Sequence, residues 1–120
     1  MVSSYEQASD ANGPPDGPRV RIAPVQSDGQ RVALSGEIDI ANVGDAEAAL
    51  MPMAASGSAL VIDLAGLTYC DSQGIAMLFR LARHARDNGS SFTVANPQGI
   101  VARVFEITRF DEAVDVVIDL

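Results

Sequence analysis

Ser72, His84, Cys70 and the carboxylates Asp39, Asp63 and Asp71 are the residues of this 120-residue chain whose types could do chemistry. A serine, a histidine and an acid suggest a nucleophilic hydrolase, whose base must lie within hydrogen-bond reach of the nucleophile. His84 follows Ser72 on the same predicted helix, which puts it roughly 18 Å along the axis. There is no second histidine and no Gly-x-Ser-x-Gly elbow. No catalytic residue is therefore expected, and His84 reads as a solvent-facing helix residue. Asp63 and Asp71 lie on opposite sides of a loop without metal-ligand spacing. Asp39 can meet Asp71 near one sheet edge, which makes an acidic rim and no metal cage. Cys70 has no evident cation beside it and reads as a small buried hydrophobe. The chain has no lysine, so no phosphate-binding P-loop is possible. No cofactor and no metal are expected.

The elements that must position these residues follow from hydrophobic periodicity. Residues 60–64 are nearly all apolar before Asp63 and predict a central strand covered on both faces. A tight loop over 65–71 then leads into a helix from Ser72 or Gln73 to Asp87. Asp71 or Ser72 is the expected helix cap, beside the unpaired N–H groups of the first turn. Ile75, Leu78, Phe79, Leu81, Ala82 and Ala85 form that helix's apolar face, opposite Arg80, Arg83, His84 and Asp87.

Upstream, 19–25 alternates as a strand, 27–30 has turn chemistry, and Val32, Leu34 and Ile38 continue as a second strand, with Gly36 hinting at a bulge. A first helix over 42–51 is stopped by Pro52. Downstream, 92–95 is a strand and Asn96-Pro97 reads as a cap followed by the first helical residue. Ile100, Val101, Val104 and Phe105 form a third helix's buried face, and 115–120 is a last strand. Residues 1–18, with Gly13-Pro14-Pro15-Asp16-Gly17-Pro18, read as a disordered tail, leaving 19–120 as one domain. The order β-β-α-β-α-β-α-β predicts an α/β fold: a mixed β-sheet with an N-terminal hairpin and crossover helices packed on it.

Composition removes other classes. Net charge is −8 and all eight basic residues are arginine, a surface that repels nucleic-acid backbones. Low aromatic content without tryptophan argues against base-stacking platforms. Apolar runs are too short to span a bilayer, and no basic-then-apolar leader opens the chain. One cysteine allows neither an internal disulfide nor a Cys-rich zinc site. A cytoplasmic protein that contacts neither membrane nor nucleic acid is the expectation. What remains is a recognition surface. Near Ser72 the helical wheel places Gln73, Ala76, Met77 and Arg80 outward, and Ala76 and Met77 are apolar for a solvated face, as a partner footprint would be.

Three segments give the chain a family resemblance. Leu34-Ser35-Gly36-Glu37-Ile38-Asp39 is the first. Asp63-Leu64, Leu67, Tyr69 and Asp71-Ser72-Gln73-Gly74-Ile75 form the second and most specific. Ala85-Arg86-Asp87-Asn88-Gly89, Asn96-Pro97 and the run from Val101 to Thr108 form the third. In this order they resemble a STAS domain, specifically a bacterial anti-sigma factor antagonist. The resemblance implies a phospho-switch without catalysis of its own. An anti-sigma factor serine kinase phosphorylates the serine matching Ser72, the unphosphorylated antagonist binds that kinase and frees sigma, phosphorylation breaks the complex, and a phosphatase restores it. The docking surface would then comprise Asp39, Asp71, Ser72, Gln73, Gly74, Ala76, Met77 and Arg80. Gln73 stands where the family has a small residue, and Cys70 where an aliphatic is common. Many relatives continue into a final helix where this chain ends, so the expectation is that the apolar surface beneath it is open, or covered by the N-terminal tail or by a second subunit in a homodimer. A STAS scaffold in signalling, or the soluble component of a transport system, is the alternative.

Overall fold

The computed structural model describes residues 19–25 and 30–119. The expected tail and most of the hairpin turn lie outside them. The elements are β1 (Val20–Pro24), β2 (Gln30–Ile38), α1 (Val43–Ala54), β3 (Leu60–Asp63), β4 (Leu67–Cys70), α2 (Ser72–Asp87), β5 (Phe92–Ala95), α3 (Gly99–Thr108), a 3-10 turn (Phe110–Glu112) and β6 (Asp115–Val117). The predicted mixed sheet is present. β1 and β2 pair antiparallel, and the remaining pairs are parallel in the order β1-β2-β3-β5-β6. The buried residues Val32, Leu34, Leu60, Ile62, Phe92 and Val94 alternate along the central strands, and Leu50, Leu78 and Leu81 of the helices join them in one core.

One strand was not expected. β4 occupies the segment read as a loop and runs parallel to the second half of β2. Its two middle residues, Thr68 and Tyr69, are both exposed, so it lacks the alternation that marks a half-buried strand. β2 pairs with β3 over Gln30–Ala33 and with β4 from Gly36 onward, and its register shifts between Gly36 and Glu37. The shift falls beside Gly36, where the sequence hints at a bulge, but the extra residue is Thr68 of β4, between Leu67 opposite Gly36 and Tyr69 opposite Glu37. The φ of Gly36 is +95°, and a Cβ there would lie 2.0 Å from the Arg19 carbonyl oxygen, so only glycine fits. One long strand thus supports two short ones end to end, and the second of these delivers Ser72.

Three boundaries are corrected. Pro52 lies inside α1 and does not stop it. Proline removes the N–H that would bond the carbonyl of Ala48, four residues back; Pro52 and Ala48 are both exposed, so water can take that carbonyl. Asn96 is not a helix cap, because α3 begins only at Gly99. Asn96 instead has φ +60° and ties down the segment after β6. Ile100 consequently falls in the first turn of α3 and is 54% exposed rather than buried. The last strand is also shorter than predicted. The sequence reading missed Phe110, which is fully buried and lies 4.3 Å from Phe105 and 4.9 Å from Phe79 between ring centroids.

Candidate functional site

The site forms where β4 ends and α2 begins. Asp71 has an extended backbone and is the cap of α2: its Oδ1 accepts the N–H of Gln73 at 2.9 Å and of Gly74 at 3.2 Å. That satisfies two of the free donors of the helix start. Its other oxygen, Oδ2, accepts the Ile40 N–H from the loop between β2 and α1, at 3.2 Å. The backbone of Asp71 also donates to the Ile38 carbonyl. One residue thus joins the helix start, the end of β2 and the loop beyond it. Ser72 is the first residue of α2, and its side chain is exposed.

Close packing fixes the helix from below. Gly74 is buried, and a Cβ on it would lie 2.3 Å from Cys70 Sγ and 3.0 Å from Ile38 Cγ2. Cys70 is buried as expected, and burial, with the Asp71 charge adding to it, pushes its thiol up to about 12. It is therefore a protonated, unreactive side chain at neutral pH.

The predicted docking residues separate. Asp39, Asp71, Ser72 and Gln73 come together at the surface, and Ala76 is half-buried one turn along α2. Met77 does not face outward: it is fully buried in the core. The wheel failed because α1 packs beside α2 and covers a flank that a helix lying on the sheet alone would leave open. Gly74 is likewise buried, against Ile38 and Cys70. Arg80 is partly exposed and engaged within the chain, its guanidinium donating to both Glu47 carboxylate oxygens of α1 at 2.8 and 2.6 Å. That fork holds the Glu47 carboxyl below the usual carboxylate range. Asp39 pairs with Arg19 and accepts the Ala41 N–H.

Sequence reasoning missed two features of the site. One is Ile40, 73% exposed beside Asp71; its type and its place directly after the Gly36-Glu37-Ile38-Asp39 segment were the available signal. The other is a groove of about 370 Å³ on the far side of Ser72, lined by Tyr69, Ser72, Ile75, Ile100, Val104 and Thr108. Among the described residues, no group of three or more His, Cys, Asp and Glu side chains could hold a metal ion, and no helix is long and apolar enough to cross a membrane.

Asp63, the other conspicuous acid, belongs to a separate cluster. Arg31 donates to Asp63 and to both oxygens of Asp119, each at 2.9 Å, and Asn96 exchanges hydrogen bonds with Asp119. Burial alone would raise Asp63, but the Ala65 N–H and Arg31 outweigh it and hold the carboxyl below its ordinary value.

The family described as "Mlab, STAS domain" matches residues 23–119. An anti-sigma-B factor antagonist of Bacillus subtilis is 28% identical over 86 residues, which cover 72% of this chain and 79% of that protein. The crystal structure of an anti-sigma factor antagonist from Mycobacterium paratuberculosis superposes with a TM-score of 0.73 at 25% identity, covering 82% of this chain and 85% of the other. The Bacillus cell fate determinant SpoIIAA in its phosphorylated form shares the fold at 16% identity and a TM-score of 0.61, over 84% of this chain and 91% of that one.

Proposed function

The chain belongs to the STAS domain family, and from that premise we propose that it is an anti-sigma factor antagonist switched by phosphorylation of Ser72. In this reading the unphosphorylated chain binds an anti-sigma factor serine kinase in the cytoplasm and so releases a sigma factor. The kinase transfers the γ-phosphoryl group of ATP to Ser72 Oγ. The hydroxyl proton passes to a base of the kinase, ADP leaves, and the complex comes apart. A phosphatase hydrolyses the phosphoserine and restores binding. The chain supplies no catalytic group of its own.

The observation that carries this reading is the placement of Ser72: an exposed hydroxyl on the first residue of a helix whose start is pinned from two sides. A kinase needs an acceptor that is accessible and held still. The phosphate would add about −1.5 to −2 charges. The positive end of the α2 dipole favours it, but Asp71 Oδ1 already occupies the Gln73 and Gly74 N–H groups. The phosphate therefore finds those two N–H groups taken and adds its charge to a rim that already carries the carboxylates of Asp39 and Asp71. Bulk, desolvation and repulsion then act on the interface while the fold stays intact.

The test is radiolabelled phosphate transfer from candidate anti-sigma kinases of the source organism, paired with pull-downs. Ser72→Ala is expected to bind the kinase and take no label, and Ser72→Asp to bind poorly. Equal binding by both variants, with label incorporated at another residue, contradicts the switch.

A further inference from the structure

Single exposed isoleucines are ordinary on protein surfaces. Ile40 differs because its loop cannot fold it away. Every backbone N–H from Asp39 to Val43 has an acceptor. Asp39 N donates to Asn42 Oδ1, Ile40 N to Asp71 Oδ2, Ala41 N to Asp39 Oδ1, and Asn42 N and Val43 N both donate to the Asp39 carbonyl. The Asn42 amide bonds the Glu37 carbonyl, and Arg19 pairs with Asp39. This lattice holds an apolar side chain 73% exposed and links it through the single residue Asp71 to Ser72. Ile107 and Ile118 are exposed to a similar extent, 72% and 68%, but they lie on α3 and beyond β6, without a hydrogen bond to the Ser72 turn.

A backbone fixed before binding loses little freedom on association, and an apolar side chain seated in a partner's pocket can anchor an interface. We propose that Ile40 is the apolar anchor by which the serine kinase that modifies Ser72 recognises this chain, and that Asp71 is the positioning residue that holds Ile40 at a fixed offset from the serine. The inference rests on the Ser72 reading above. The matching feature on the kinase is an apolar socket beside its phosphoryl-transfer site, with basic residues on the rim facing Asp39 and Asp71. Ile40 then contributes to docking and Ser72 to chemistry, so their substitutions separate in kinetics.

The probe is the purified serine kinase that labels the wild-type full chain at Ser72. With the chain as phosphoacceptor, Ile40→Ala is expected to raise KM about tenfold, and Ile40→Asp further, with kcat and the melting temperature unchanged. Asp71→Asn keeps one oxygen for the helix cap and turns an NH2 toward the Ile40 N–H. It is expected to speed hydrogen exchange at the Ile40 amide while Gly74 stays protected, and to raise KM less than Ile40→Ala does. If both Ile40 variants keep the wild-type KM while Ser72 is still labelled, the anchor is wrong and the Ser72 reading stands. If Asp71→Asn leaves Ile40 exchange unchanged, the positioning role is wrong. If no kinase labels Ser72 in the wild type, the underlying reading fails and this inference with it.

Discussion

The Arg31 cluster and the Ser72 turn are both built on carboxylates, and they dispose of them differently. At Arg31 one guanidinium meets Asp63 and Asp119, Asn96 completes the ring, and the partners satisfy one another. At Ser72 the carboxylate of Asp71 is consumed by three backbone N–H groups, and a hydroxyl and an isoleucine are left facing water. The first arrangement spends its polar groups on tying the end of the chain to β2 and β3. The second spends them on holding still groups that the fold does not use. Conspicuous charge thus serves the fold at Arg31, and at Ser72 it fixes groups that the fold does not use.

Substitutions sharpen this contrast, beginning with the largest expected effect. Gly74→Ala puts a methyl group into Cys70 and Ile38. It is expected to cost about 2 kcal/mol in urea unfolding despite alanine's better helix propensity. An unchanged stability would mean that the floor under Ser72 is loose. Arg31→Ala leaves Asp63 and Asp119 facing each other without their cation. A fully buried pair broken this way costs about 3–5 kcal/mol. Arg31 is partly exposed and Asp119 more so, so a smaller loss in urea unfolding is expected, with phosphorylation of Ser72 unaffected; a change in labelling would show that the two regions are coupled.

Acid provides a milder test. Asp63, Asp119 and Glu47 have carboxyls held below their ordinary values in the folded chain. Their stabilisation is present above the unfolded carboxylate value of about 4 and is lost as pH falls through the lower folded values. Urea midpoints should be flat from neutrality to about pH 5 and drop below about pH 4. In Arg31→Ala that drop should be smaller, because two of the three carboxyls lose their cation. Asp71→Ala removes one helix cap and is expected to cost about 1 kcal/mol, the smallest change in stability, while freeing the Ile40 N–H.

Much of this architecture was legible in the sequence because its strongest signals are long. The α2 pattern Ile75, Leu78, Leu81, Ala85 spans three turns, and all four residues are buried. The same wheel misplaced Met77 because an ideal helix has one apolar face, whereas α2 packs against both the sheet and α1. β4 was invisible because four residues with two exposed in the middle carry no period. Pro52 was overread as a stop because the sequence does not say that the orphaned carbonyl faces water. The Asp71 cap was readable from local chemistry, since both its acceptor and its donors lie within four residues. Its bond to Ile40 was not, because that bond joins residues 31 apart that only the β2–β4 pairing brings together. The Arg31 cluster failed to appear for the same reason, across a separation of 88 residues.

The central claim is that Ser72 switches binding without altering the fold. The most direct measurement compares the wild-type chain with the same chain phosphorylated stoichiometrically at Ser72, the site confirmed by mass spectrometry. Affinity for the partner kinase and the thermal unfolding curve are recorded on the same two samples. Affinity of the phosphorylated chain is expected to be lower by about 100-fold or more, equivalent to about 2.7 kcal/mol, with the unfolding midpoints coinciding. Equal affinity for the two forms, or a phosphorylated chain that has lost its cooperative unfolding transition, would contradict the claim.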